Sequence, residues 1–543
     1  MRADLLAVQL ACAFAVMSTA SAQTTDSPGT TAASALKVQV REFKISGSKL
    51  LPDEKLQAVL APYKGERSLD ELKAAAQAVQ DTYRAAGYGA VIAYLPEQTG
   101  AAPGEVTIAV LEGRIERVVV SGNKQYTEAN IRRSLPLIKE GETPQVQKID
   151  AQIQLANENP GKQVAVSLEP GANQGEVNVN ISVQEQPASR VTVAVDNTGN
   201  DNTGRWRTSL SYSNAALWDL DHSITLQFQT APENPSRVQV YSANYRIPFY
   251  GFGSTLDLFA AHSSVDGGNT ATAAGPLQFS GKGNVFGARL TDYLVRLGEV
   301  DQRLIFGLDE REYLNNCAIT GLPDGACGTA GASVAVHPVS IEYTAQRGGE
   351  RAMGMNVALS HNLPVGGSHG GADDFEAVRA GAKRSYTTLR LGAFGSLPLG
   401  ASGMQVQARF NAQATSDALV PGEQFGLGGA TTVRGYEERE VVGDSGFVGS
   451  LELYSPDFGT RFGERVKSAR VLAFIDGGHV SNRKGLPCLG NATSCWLGSV
   501  GIGFQLSTGP LSLRVDLANA RRDAVTTRRN DYFTHFSASY SFI

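Results

Sequence analysis

From Arg190 to the C-terminus, hydrophobic and polar positions alternate with a period of two. Ile224, Leu226 and Phe228 interleave with Ser223, Thr225, Gln227 and Gln229. Met404, Val406, Ala408, Phe410 and Ala412 interleave with Gln405, Gln407, Arg409, Asn411 and Gln413, and Leu511, Leu513, Val515 and Leu517 with Ser512, Arg514 and Asp516. Successive side chains on a strand point to opposite faces, so the pattern predicts strands with one oily and one wet side. A soluble sandwich also has a polar outer face, and alternation alone leaves that option open. Length narrows it. The 354 residues from Arg190 to Ile543 supply about sixteen strands at roughly 22 residues per strand and connection, the scale of a transmembrane β-barrel. A closing strand is legible in Tyr532, Phe536, Ala538, Tyr540 and Phe542, alternating with His535, Ser537, Ser539 and Ser541. Closure is what hydrocarbon demands, because an open sheet edge would leave backbone groups unpaired where no water reaches them. A barrel that wide is not filled by its own wall side chains, so something else must plug or gate it.

Upstream, the pattern becomes mixed and repeats itself. Val38 to Ile45 has strand character and runs into Ser46-Gly47-Ser48-Lys49; Val118-Val119-Val120 runs into Ser121-Gly122-Asn123-Lys124. Glu105 to Val110 matches Glu176 to Ile181 in the same way. Such self-similarity means a duplicated unit, each copy reading as a strand, helices, then two strands. In the first copy Ser68 and Glu71 have capping-box spacing, and Leu72, Ala75, Ala76, Val79 and Tyr83 recur at helical spacing until Gly87. The second has Ile149, Ile153 and Leu155 before Asn159-Pro160-Gly161, which cannot continue a helix. Each module is a small α+β sandwich with an exposed sheet edge. That edge suits an extended peptide added by backbone hydrogen bonding; a spacer with covered edges is the equal alternative.

Composition changes the picture at three points. Lys and Arg number 48 against 53 Asp and Glu, a net charge of −5 that gives no support to a nucleic-acid binder. Beyond the first 22 residues no apolar run approaches the roughly 18 residues of a spanning helix. Within those 22, Met1-Arg2, the apolar Leu5 to Val16 and the small residues Ala20-Ser21-Ala22 read as a secretory signal peptide, with Cys12 incidental. Export gives meaning to the remaining cysteines. Cys317/Cys327 and Cys488/Cys495 each bracket a short Gly-containing loop, and two local disulfides are the expectation. A metal site is the alternative, against which no His or further Cys lies inside either bracket.

Two short strings stand out in the barrel region. Gly428 to Tyr436, ending in Val433-Arg434-Gly435-Tyr436, lies in a long connection, and Phe474-Ile475-Asp476-Gly477-Gly478 lies on a strand. A cation on a Gly-flanked loop can pair with a wall carboxylate inside the lumen, where low dielectric strengthens the contact. Taken alone, Arg-Gly-Tyr reads as a solvated hairpin tip.

With the tandem modules, Asn157-Glu158-Asn159-Pro160-Gly161, Leu168-Glu169-Pro170-Gly171 and the barrel opening Asp196-Asn197-Thr198-Gly199, these strings make the whole mature chain resemble the outer-membrane transporters of two-partner secretion (TpsB), the hemolysin secretion/activation family of the POTRA-barrel superfamily. The resemblance implies a membrane β-barrel of about 16 antiparallel strands preceded by two periplasmic α+β POTRA domains. The divisions expected are a signal peptide at 1–22, a polar leader at 23–36, POTRA domains at 37–112 and 113–187, and the barrel at 188–543. It implies that the POTRA domains capture the N-terminal secretion domain of a β-helical exoprotein, which leaves extended through the barrel. In the family an extracellular loop folds into the lumen and its arginine meets the wall aspartate. Those roles fall to Arg434 and Asp476, with Val433, Gly435 and Tyr436 shaping the loop tip and Phe474 and Gly478 its receptor. Outer-membrane lipid and the barrel assembly machinery are the other partners implied. Many relatives carry an N-terminal plug helix, but Gln23 to about Leu36 has no amphipathic stripe, so the inward loop is expected to be the main obstruction.

Other classes fit less well. No Gly-x-x-x-x-Gly-Lys phosphate loop is present, and no cofactor is expected. Gly366-Gly367-Ser368-His369-Gly370 matches a hydrolase elbow, but no apolar strand leads in and no helix is expected to lead out, so a flexible loop tip is the reading and no enzyme is predicted. A barrel-assembly factor of the same superfamily is the alternative function, and two modules are fewer than such factors commonly carry. A passive porin would leave the modules superfluous.

Overall fold

The computed structural model describes residues 37–97, 102–201, 203–265, 282–314 and 332–542. The expected signal peptide, the polar leader, and Cys317 and Cys327 lie outside the described residues. Contacts gather the chain into two compact units, one from the residues up to Thr82 with Ala93–Val110, the other from Tyr83–Ile92 and Leu111 onward.

The N-terminal module contains strands β1 (Lys37–Val40) and β2 (Glu42–Ser46), helix α1 (Asp53–Leu60), strand β3 (Gly65–Ser68), helix α2 (Leu69–Ala85), and strands β4 (Val91–Tyr94) and β5 (Glu105–Glu112). The single strand expected from Val38 to Ile45 is broken at Arg41. There the N–H groups of Arg41 and Glu42 both donate to the Gly104 carbonyl (2.7 and 3.2 Å), and the chain switches sheets. β1 then pairs antiparallel with β3, a strand the sequence pattern did not suggest, while β2 pairs parallel with β5, which carries β4 on its other edge. The capping box forms: Ser68 N–H donates to Glu71 Oε2 (2.7 Å), and Glu71 N–H to Ser68 Oγ (3.3 Å). Leu72, Ala75, Ala76, Val79 and Tyr83 are buried along one face of α2, and Gly87 ends the run at φ +94°.

In the second unit, β6 (Arg114–Ser121), α3 (Glu128–Ser134), α4 (Val146–Ala156), β7 (Lys162–Pro170) and β8 (Glu176–Glu185) form the second module. Its sheet runs β6-β8-β7, the first pair parallel and the second antiparallel. Ile149 and Leu155 of α4 pack with Ile115, Val118, Val179 and Ile181.

The same unit continues into a closed barrel. Sixteen antiparallel strands run from Ser189–Asp196 to Tyr532–Phe542, which pair with each other to close the wall. The short Val334–Val336 and Pro338–Arg347 both pair with Val300–Leu314 and make one wall strand interrupted at His337. Leu226, Ile475 and Ile502 stand exposed on the outer face, as a bilayer requires, and the inward positions are largely polar. Connections at the end nearer the second module are short, as between Leu217 and His222 or Leu297 and Val300. Those at the opposite end include 363–386 and 415–444. Among the described residues no helix is long and apolar enough to cross a membrane.

Candidate functional site in the barrel lumen

The connection 415–444 leaves strand Gln405–Ala414, enters the lumen, and returns to strand Ser445–Tyr454. A hairpin within it pairs Phe425–Leu427 with Val441–Gly443. Three sets of contacts hold it. Glu423 Oε1 accepts from Arg311 Nη1 and the Tyr313 hydroxyl (2.8 Å each). Asp444, fully buried, accepts from Arg379 Nη2 (3.0 Å), Leu419 N–H (2.9 Å) and Arg483 N–H (2.7 Å). Glu440 accepts from the backbone N–H groups of Thr526 and Thr527 (2.7 Å each).

At the tip, Arg434 is 1% exposed. Its Nε and Nη2 donate to Asp476 Oδ2 and Oδ1 (2.7 and 2.8 Å), a bidentate fork matched to the carboxylate, and its backbone N–H adds a third bond to Oδ2 (3.1 Å). Nη1 lies 2.7 Å from Glu452 and 3.3 Å from Asp516, and Nη2 donates to Ser450 Oγ (3.2 Å). The guanidinium carbon stacks 3.4 Å above the Phe474 ring. Arg514 and Arg409 approach Glu452 at 2.8 and 3.1 Å, and Arg514 reaches Asp516 at 2.8 Å. Three carboxylates and three guanidinia thus alternate around one point of the wall. Leaving any one unpaired there exposes the others to an uncompensated buried charge.

The neighbours explain the rest of the string. Gly435 adopts φ +93°, a region that L side chains rarely enter, and its N–H donates to His535 Nε2 (2.9 Å). Val433 and Tyr436 are fully buried among Leu427, Val441, Val448, Val480, Leu497 and Ala520. The Tyr436 hydroxyl lies 3.0 Å from the carbonyls of Gly498 and Arg522 and accepts from Arg522 N–H (3.1 Å). Gly478 faces the hairpin: a Cβ there would fall 2.8 Å from Leu427 and 2.9 Å from the Phe447 carbonyl. Both strings therefore meet at one place, 42 residues apart in the chain. Glu452 joined them without any sequence signal, and His535 was visible only as a polar member of the closing strand. Arg514 and Asp516 were visible only as polar members of an alternating strand.

Two other sites resolve differently. Cys488 and Cys495 form a disulfide closing connection 482–493. A helix, α5 (Ala372–Val378), does follow the Gly-rich string at 366–370, contrary to expectation. Gly371 N–H donates to Asp374 Oδ2 (2.8 Å), and buried Phe375 packs with Tyr313 and Tyr386. Ser368 and His369 are exposed. Among the described residues no group of three or more His, Cys, Asp or Glu could hold a metal ion.

A family profile described as haemolysin secretion/activation protein ShlB/FhaC/HecB matches residues 175–504. A ShlB-type POTRA profile matches 38–113, and a POTRA profile described as surface antigen variable number repeat matches 113–186. The outer membrane transporter CdiB of Dickeya dadantii (strain 3937) is 24% identical over 477 residues, covering 85% of this chain and 79% of that one. CdiB from Escherichia coli superposes with a TM-score of 0.75 at 19% identity over 95% of this chain and 93% of its own. CdiB from Acinetobacter baumannii gives 0.69 at 16% identity over 93% and 90%.

Proposed function

Because the chain belongs to the haemolysin secretion/activation family ShlB/FhaC/HecB, an outer-membrane transporter family with periplasmic POTRA domains, we propose that it captures a cognate exoprotein through its POTRA domains and passes it, extended, through the barrel to the cell surface. The exoprotein is a β-helical hemolysin- or adhesin-like chain bearing an N-terminal secretion domain, and activation of that cargo on passage is part of the same proposal. The barrel itself reaches the membrane through the barrel assembly machinery. The exoprotein's passage is gated by the loop that carries Arg434. One observation supports this above others: a long loop sits in the lumen with its only tip guanidinium clamped to Asp476, Glu452 and Asp516. That arrangement closes a conduit and can release it, because the clamp is ionic, reversible and placed on the path.

The periplasm offers no nucleotide, so direction must come from binding on one side and folding on the other. The test is coexpression with a candidate exoprotein that bears an N-terminal secretion domain. Protease-accessible exoprotein at the cell surface only when this chain is present is expected. Exoprotein held in the periplasm despite a correctly inserted barrel would overturn the proposal, and a fall in other barrel proteins when the chain is deleted would favour an assembly factor instead.

A further inference from the structure

Loop 521–531 carries Arg521, Arg522, Arg528 and Arg529 within nine residues, all four exposed. Arginines on the barrel wall are mostly paired: Arg246, Arg289, Arg311, Arg409, Arg470 and Arg514 each lie within ion-pair distance of a carboxylate. Among the described residues none of the four loop arginines does. The loop's own acids are committed elsewhere. Asp523 Oδ1 accepts from Arg529 N–H (2.9 Å) and Asp531 Oδ2 from Arg528 N–H (2.7 Å), so both carboxylates are turned onto backbone.

The loop is also held in place. Tyr436 bonds both the N–H and the carbonyl of Arg522, and Glu440 takes the N–H and hydroxyl groups of Thr526 and Thr527. Four unpaired guanidinia on a fixed backbone lose little freedom when they engage a ligand. An open cleft of about 720 Å³ lies beside them at the junction with connection 482–493, walled by Arg521, Arg522, Arg529 and Trp496 and by Asp523, whose carboxylate accepts from the Arg529 N–H, so that three guanidinia face one carboxylate there.

Position identifies the ligand. Phe447, His479 and Trp496 are direct partners on three adjacent strands, their rings 4.6 to 5.9 Å apart and facing outward. Trp496 is 49% exposed, and Tyr532 stands 73% exposed at the foot of the loop. Exposed aromatics in a row mark the level where hydrocarbon gives way to headgroups. The arginines sit just above that level at the end of the barrel opposite the short turn 218–221 that meets the second module, hence at the outer leaflet. Guanidinium forks match phosphate oxygens bidentately, and juxtamembrane cations are drawn to anionic lipid.

We propose that the rim cleft between connections 482–493 and 521–531 binds the phosphorylated headgroup of an outer-leaflet glycolipid, its sugar resting against Trp496. This does not depend on which exoprotein is exported.

The test uses the full-length protein in detergent, titrated with bisphosphorylated lipid A, its dephosphorylated form, inorganic phosphate and poly-glutamate, and read by native mass spectrometry. Bisphosphorylated lipid A is expected to bind at least about tenfold more weakly to the variant with all four arginines changed to Ala, charge-assisted contacts being individually worth about a tenfold factor or more. A second variant with all four changed to Lys keeps the charge and is expected to fall between. Heat-modifiability on gels confirms that both variants are folded. Equal lipid A binding by wild type and the Ala variant overturns the proposal, as does equal binding of the dephosphorylated form. Saturation by inorganic phosphate with no preference for the lipid overturns the lipid assignment, and binding of poly-glutamate in place of lipid A overturns it in favour of an acidic protein partner.

Discussion

Lys162 and Asp221 form an ion pair shut off from solvent, Nζ to Oδ2 2.6 Å, joining strand β7 of the second module to the first short turn of the barrel. The pair is saturated around its edges. Asn130 donates to Asp221 Oδ1 (2.9 Å) and receives the Lys162 ammonium (2.5 Å), and the Tyr250 hydroxyl donates to Asp221 Oδ2 (2.6 Å). Asn159 donates to the Ala215 carbonyl (2.7 Å). The turn itself is strained, with Trp218, Asp219 and Asp221 all at positive φ. Burial lowers the Lys162 ammonium below its ordinary value even with Asp221 beside it, so the charge stays only because its partners are in place.

Breaking that pair from one side is expected to loosen the module while sparing the barrel. Asp221→Ala strands a buried ammonium, at a cost of about 3–5 kcal/mol. The double variant Lys162→Met with Asp221→Leu removes both charges and is expected to lose much less. Limited proteolysis across 185–190, with barrel heat-modifiability as the control, reads the difference. A single variant as resistant as wild type would mean that the ion pair does not hold the module.

Arg434 presents the same physics in the lumen with a different consequence. Arg434→Ala leaves Asp476, Glu452 and Asp516 facing one another, and their repulsion is expected to expel the loop tip. Secretion should fall at least about tenfold, the scale of losing a buried charged partner, while the barrel still inserts. Arg434→Lys keeps a cation but loses the fork on Asp476 and the stacking on Phe474, so an intermediate defect is expected. Single-channel conductance separates gating from folding: the Ala variant should open more often. Wild-type conductance and wild-type secretion together would defeat the gating role.

These two clusters differ in how far the chain's pattern revealed them. Alternation such as Ile224 to Gln229 is forced by a wall between lipid and water, so barrel strands are legible from one chain. The capping box at Ser68 and Glu71 is legible because it is local. Arg434 and Asp476 drew notice as a Gly-flanked loop cation and a strand carboxylate that could pair, but only the resemblance favoured that pairing over a solvated hairpin tip, since a contact across 42 residues leaves no periodic trace. Glu452 was invisible, and His535 legible only as one polar residue of the closing strand, for a related reason: each is a single inward residue on its own strand, and only the register of five adjacent strands brings them to Arg434. Lys162 directly follows Pro160-Gly161, and nothing in the local sequence points to a buried ion pair before Asp221, 59 residues on, is placed against it.

The α2 cap supplies a pH dependence. Backbone donation from Ser68, with Arg67 alongside, holds the Glu71 carboxyl below its ordinary 4.5. A carboxylate whose folded value is depressed adds stability above its unfolded value and loses it as pH falls through the folded one. Protection of the first-turn amides of α2 against hydrogen exchange, corrected for intrinsic rates, is therefore expected to decline below pH 4.5. Glu71→Gln should lower protection at neutral pH and flatten that decline. An unchanged profile in the variant would remove Glu71 from the cap's energetics.

Deleting residues 37–112 tests where the exoprotein is first held. Strand β2 and strand β4 form the two edges of the three-stranded sheet in the N-terminal module, and an edge offers unpaired backbone groups to an incoming strand. Loss of the module is expected to abolish capture of the exoprotein's N-terminal domain in a pull-down with purified components. Replacing alternate exposed residues Ile92 and Tyr94 of β4 by Pro and Lys should reproduce much of that loss without removing the fold, because Pro takes away a ladder donor and Lys blunts an edge. If the deletion abolishes capture and the β4 variant does not, recognition lies at β2 or on the helical face. Full affinity in the deletion protein would move it to the second module or the barrel.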